Sequence, residues 1–104
     1  MYKLALISGL AYHVYIMSNR SNGTLYVGIS SNLIKRVYQH RTNAVPRFTS
    51  RYNLKILVYF KEHATAINAI QREKTLKHCV RAWKIELIEK NNPNSNDLFD
   101  EIAS

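Results

Sequence analysis

The sequence predicts an α+β domain: a small three-stranded antiparallel sheet flanked by helices, in the order ββαβαα. Two aromatic and β-branched runs, "YHVYIM" at 12–17 and "TLYVGI" at 24–29, are separated by the short polar stretch "SNRSNG", as in a hairpin. A third apolar run, 54–60, alternates Leu54, Ile56, Val58 and Phe60 against Lys55, Leu57 and Tyr59, which gives a strand with one apolar face. The segments between and after these runs carry helical periodicity, and so small a sheet needs helices to bury its apolar face.

Each element has a local reason. Ser30 or Ser31 is placed to N-cap a helix over about 32–41, with Leu33, Ile34 and Val37 as its apolar stripe. The stretch 42–53 loses periodicity, contains Pro46 and reads as a loop. Residues 64–79 form a helix with Ala66, Ile67, Ala69, Ile70 and Leu76 on one side. Residues 80–90 continue that helix or form a separate one, using Trp83, Leu87 and Ile88, and "NNPNSN" stops it. Ser95 or Asn96 caps a last short helix, "DLFDEIA". Residues 1–11 read as an apolar extension: they lack the polar cleavage region of a signal peptide and run into the first strand. Residues 12–104 are then a single domain with a modest core.

Charge and cysteine content narrow the function. Fifteen Lys and Arg against 7 acids give a formal charge of +8, which favours an anionic partner, most often nucleic acid. The single cysteine, Cys79, excludes an intrachain disulfide and Cys/His zinc fingers, and suits a cytoplasmic protein. No run reaches the roughly 18 apolar residues of a membrane helix, so no membrane partner is expected.

Several residues form a possible chemical constellation. If Met17 lies opposite Thr24, then Tyr15 lies opposite Tyr26 and the hairpin presents two phenols side by side; a cross-strand pair in the core explains the same residues. Gly28, inside a strand, marks a bulge or the close approach of another group. Arg36 and His40 stand four apart on one helix face, about 40° apart, joining a phosphate-binding fork to a proton carrier. Glu73 falls among Ala69, Ile70 and Leu76 on the core-facing arc of its helix, where a carboxylate needs a partner. That partner is either Arg36 or a lysine, or a divalent cation such as Mg²⁺. A base, an arginine on phosphate and a carboxylate-bound cation are together what phosphodiester hydrolysis requires.

These residues also resemble a known family. "VYI" followed by "YVG" is similar to the paired signature of the GIY-YIG endonucleases, Arg36-x-x-x-His40 to their next motif, and Glu73 in "AIQREKTLK" to their metal-binding glutamate. "FTSRYNLKILVYFKEH" and "RAWKIELIEKNNPNSNDLF" resemble the short stand-alone bacterial branch, related to the nuclease module of the excision-repair subunit that makes the 3′ incision. The resemblance spans roughly 12–99. It implies a Mg²⁺- (or Mn²⁺-) dependent endonuclease working in DNA repair or structure processing, with a repair-complex protein as a further partner. Tyr15, Tyr26, Arg36, His40 and Glu73 would be catalytic, Glu73 the metal ligand and Gly28 structural at the site. Asn92, with Asn91 second, stands for the family's late asparagine. Val14 replaces the first glycine of the signature and Val27 its isoleucine, while Ile29 and Ser30 stand where some members carry a lysine. DNA contacts are expected from Arg41, Arg47, Arg51, Lys55, Lys74 and Lys77, with Phe48 and Tyr52 interleaved. The same charge and the missing lysine also fit a non-catalytic DNA-binding module on this fold.

Overall fold

A computed structural model of the chain describes residues 11–21, 23–42 and 52–103. The elements are β1 (Tyr12–Ser18), β2 (Leu25–Ser30), α1 (Leu33–Arg41), β3 (Ile56–His63), α2 (Ala66–His78), α3 (Arg81–Asn91) and α4 (Phe99–Ala103). The sheet order is β2-β1-β3, with β1 antiparallel to both neighbours. The predicted α+β sheet with flanking helices is therefore the architecture found.

β1 is central, and its two faces feed two cores. Tyr15 and Met17 pack with Leu33, Val37, Leu54, Leu57 and Ile102, under α1 and α4. Val14 and Ile16 pack with Val27, Val58, Tyr59, Ala69, Leu76 and Ile88, under α2 and α3. The single apolar face expected for β3 is thus replaced by burial on both faces. A bulge makes this possible: Ile16 pairs with Tyr59 and Met17 with Leu57, leaving Val58 as the extra residue. Leu57, Val58 and Tyr59 are consecutive and all buried.

The helix ends follow capping chemistry, with shifts from the sequence reading. Asn32, not Ser30 or Ser31, caps α1, its side chain accepting from Lys35 N at 3.2 Å; Ser30 Oγ instead accepts from Asn32 N. Thr65 caps α2 by accepting from Asn68 N. On α2 the buried stripe is narrower than predicted, because Ile67 and Ile70 face solvent while Ala69 and Leu76 meet the sheet.

The chain after α3 closes the outer edge of β3. Asn92 donates to the bulged Val58 carbonyl at 3.2 Å, and to Asn96 O, and accepts from Asn96 N. Leu98 N donates to Leu57 O, and Asp97 Oδ1 accepts from Leu57 N and Phe99 N. Asp97, not Ser95 or Asn96, is therefore the group that starts α4. Its other oxygen pairs with Arg41, whose guanidinium also lies over the Phe99 ring, 4.6 Å from the centroid. An open edge with unpaired backbone groups is covered in this way, and α1 is tied to the C-terminal segment.

Asp97→Ala strands Leu57 N and releases Arg41. Urea unfolding is expected to show a loss of roughly 1–3 kcal/mol, the cost of a buried donor left unsatisfied, and Arg41→Ala should lose much less because Leu57 N keeps its acceptor there.

Candidate active site

The hairpin register sets the site. Tyr15 lies opposite Gly28, and Met17 opposite Tyr26. The expected Tyr15–Tyr26 opposition is therefore displaced by two residues. The cause is the loop: Asn19 Oδ1 accepts from Thr24 N and Gly23 N donates to Arg20 O, so the last strand pair is Ser18–Leu25. A two-residue slip keeps every side chain on its face, and Tyr15 and Tyr26 remain neighbours, with ring centroids 6.4 Å apart.

The corrected register explains Gly28. A Cβ there would stand 2.5 Å from Cζ and from Oη of Tyr15. The glycine is the seat of the Tyr15 ring, a close approach by a side chain of the same sheet.

α1 crosses this face with Leu33 and Val37 buried and carries His40 in at its last turn. Tyr15 Oη lies 2.9 Å from His40 Nε2, with both side chains buried. His40 also stands 5.5 Å from the Tyr26 ring, so the three rings form one cluster. His40 Nδ1 has no hydrogen-bond partner among the described residues. Burial, and then the Arg36 charge, push the His40 pKa down to about 4, so the ring is neutral near pH 7. Burial likewise holds the Tyr15 hydroxyl above its usual value; Tyr26 and Glu73 add to this and Arg36 opposes it.

Arg36, one turn before His40, is exposed and lines a polar hollow of about 180 Å³ with Ser30, Asn32, Lys35 and Gln39. Lys35 was missed by the sequence reading, since adjacent helix positions diverge by about 100°. The signal was the Lys-Arg pair just after the strand-to-helix turn. Ile29, at the position of the absent lysine, packs into the core beneath α2 and α3.

Glu73 lies beside the buried stripe of α2, with 15% of its side chain exposed, and pairs with Lys77 at 3.0 Å. Of the two ion-pair partners raised by the sequence, a lysine and Arg36, the lysine is the one that pairs with Glu73. The donor set was weighed against a metal. Among the described residues no group of three or more His, Cys, Asp or Glu could hold an ion. A lone carboxylate suits a hard cation that takes most of its ligands from water and phosphate, as Mg²⁺ does. It does not suit a site built from several protein ligands.

Three predicted positions belong elsewhere. Asn92 is on the far side of β1 from β2, with its amide committed to Val58 and Asn96, so it does not reach the site. Asn91 donates to Leu87 O. Arg41 is engaged by Asp97, Phe99 and the Lys55 carbonyl, so its guanidinium already has partners within the chain. Arg47, Arg51 and Phe48 lie outside the described residues. Lys74 is exposed, Lys55 is partly buried, and Lys77 is the partner of Glu73.

Comparison with known proteins finds a matching family and several relatives. A family profile described as the GIY-YIG catalytic domain matches residues 11–86. The chain is 29% identical over 96 residues to a UPF0213 protein of Pediococcus pentosaceus, covering 92% of this chain and 98% of that one. It is 31% identical over 78 residues to a UPF0213 protein of Oceanobacillus iheyensis, covering 75% and 90% respectively. The solution NMR structure of a UPF0213 protein from Bacillus halodurans shares the fold with a TM-score of 0.51 and 21% identity, over 82% of this chain and 92% of that one.

Two measurements probe the ring cluster. Gly28→Ala drives a methyl into Tyr15 and is expected to cost roughly 1–3 kcal/mol in urea unfolding, as overpacking does; unchanged stability would mean that the Tyr15 ring has room to move. In an NMR titration, the His40 ring should stay neutral to well below pH 6.5 and titrate at about 4. Between those values the unfolded chain binds the extra proton, so stability should fall as the pH falls through that window, and His40→Phe should reduce the slope.

Proposed function

The chain belongs to the GIY-YIG nuclease family, and from that premise we propose that it is a divalent-metal-dependent DNA endonuclease that hydrolyses phosphodiester bonds. The observation that carries the reading is the convergence at Tyr15. Its hydroxyl bonds to His40 and its ring packs beside Tyr26, so β1, β2 and α1 bring three of the predicted residues into one buried cluster, with Arg36 one turn before His40. DNA as substrate is supported by the +8 charge. A role in repair or structure processing, and a reducing cytoplasm as the setting, fit the small module and its lone cysteine. Among the described residues no helix is long and apolar enough to cross a membrane.

Each residue has work that its surroundings permit. Tyr15 and the neutral His40 form a proton path with two settings. In one, Oη–H donates to Nε2; in the other, Nε2–H donates to Oη and leaves the phenol proton for the site. In the first setting the phenol proton is committed to His40 and the Oη lone pairs can accept a hydrogen bond from the attacking water, so the pair orients the nucleophile without either group ionising. Arg36, exposed at the rim, presents its fork to the phosphate. Lys35 adds charge beside it. Glu73 would hold Mg²⁺ or Mn²⁺, which when bound supplies charge stabilisation for the pentavalent phosphorane and the leaving oxygen. Lys77, about half exposed, is free to release the carboxylate, since surface pairs of this kind are weak.

The same Glu73–Lys77 pair favours a second reading, in which the carboxylate stays neutralised and the chain binds DNA without cutting it. Cleavage of supercoiled, branched and single-stranded DNA with Mg²⁺ or Mn²⁺ separates the two. Wild type is expected to cut, and Glu73→Gln and Arg36→Ala each to lose about 10²–10³-fold or more, the scale of removing one preorganised charge contact. Equal cutting by Glu73→Gln, or salt-sensitive binding by wild type with no cutting under either metal, would reject the nuclease reading.

A further inference from the structure

α2 and α3 both lie on the sheet face away from α1, and between them runs a groove that the proposed chemistry does not use. It is lined by Arg72, Leu76 and Cys79 of α2 and its C-cap and by Trp83, Leu87 and Lys90 of α3, with one acid, Glu86, and encloses about 380 Å³. That volume falls in the roughly 300–1,000 Å³ range of small-ligand sites. The lining climbs both helices away from the turn: Cys79 and Trp83 stand beside it, Arg72 and Lys90 farthest from it. Trp83 is 66% exposed although it sits on a helix that buries Ile88. The apolar reading of Trp83 as a core residue is thus overturned, and the largest side chain in the molecule faces outward.

We infer that this groove takes an unpaired nucleobase of the DNA, stacked on Trp83, with the flanking phosphates met by Arg72 and Lys90. The inference rests on the proposal that DNA is the ligand, and gives it a substrate class: DNA with a single-stranded arm, flap or gap. Three features select this occupant. An exposed indole offers a stacking face to any base. Arg72 and Lys90 beside Leu76, Trp83 and Leu87 match a ligand that is flat and apolar in one part and anionic in another. The position is also right: Arg72 and Glu73 are consecutive, so α2 presents the groove and the proposed metal ligand on adjoining faces, about 100° apart around one helix. A strand held at Glu73 thus has the groove one helix width away. Residues 66–92 carry six Lys and Arg against three Glu, so the surrounding surface is attractive to phosphate as well.

Trp83 is the chain's one tryptophan, so its emission reports on the start of α3, beside the groove. The test uses the full chain carrying Glu73→Gln, without divalent metal, so that cleavage plays no part and the outcome is independent of whether the wild type is a nuclease. Forked duplex with a single-stranded arm is expected to quench Trp83 and to bind about tenfold tighter than blunt duplex of equal length, a margin of the size that base stacking gives. Trp83→Ala should abolish that margin, and Trp83→Phe should keep most of it. Quenching by an arm of abasic sites equal to that by the normal arm would overturn the proposal by showing charge alone at work. So would a margin that survives Trp83→Ala, or a Trp83 emission that shifts with protein concentration in the absence of DNA, which would place a second copy of the chain in the groove.

Discussion

The hydrogen bond between Tyr15 and His40 joins the central strand to the last turn of α1, and the remaining site geometry follows from it. It exists because Gly28 lets the Tyr15 ring lie against β2, and because Leu33 and Val37 bury the face of α1 that brings His40 down. It also sets the protonation states. The burial that makes the bond also keeps the imidazole neutral and the phenol protonated. In that condition either group can donate the shared hydrogen bond, so the pair can turn a donor or an acceptor toward the site. Two ionised groups in the same place would be costly to bury and less useful.

The site is built across elements that are fixed for other reasons. β1 is central and buried on both faces, so its side chains have little freedom. α1 is anchored at its end by Arg41, which grips Asp97 and Phe99, while Asp97 and Asn92 close the outer edge of β3. Two residues that resembled functional ones, Arg41 and Asn92, therefore act as the frame. Glu73, in contrast, sits at the margin of the α2 stripe and holds only a lysine, as a carboxylate that must exchange partners should.

Much of this was legible from the sequence. Strand and helix types follow from period-two and helical patterns, and the spacing of Tyr15, Tyr26, Arg36, His40 and Glu73 was readable as one constellation. Three things were hidden. The hairpin register depended on Asn19 reaching back to Thr24, a side-chain bond that polar composition does not reveal. The burial of β3 on both faces depended on a bulge at Val58, which breaks the alternation that the sequence appeared to obey. The partners of Arg41 and Asn92 lie far along the chain, at Asp97, Phe99 and Val58, and local pattern carries no information about contacts of that range. Ile67, Ile70 and Trp83 mislead for a simpler reason: apolar residues on a helix are read as inward, and here they are not.

The central claim is that Tyr15 and His40 act as one proton-handling unit. A double-mutant cycle on the cleavage rate, with Tyr15→Phe, His40→Asn and the pair, tests it most directly. If the two act together, the double variant should be no slower than the slower single one. Rate losses that multiply would show two independent contributions and contradict the account.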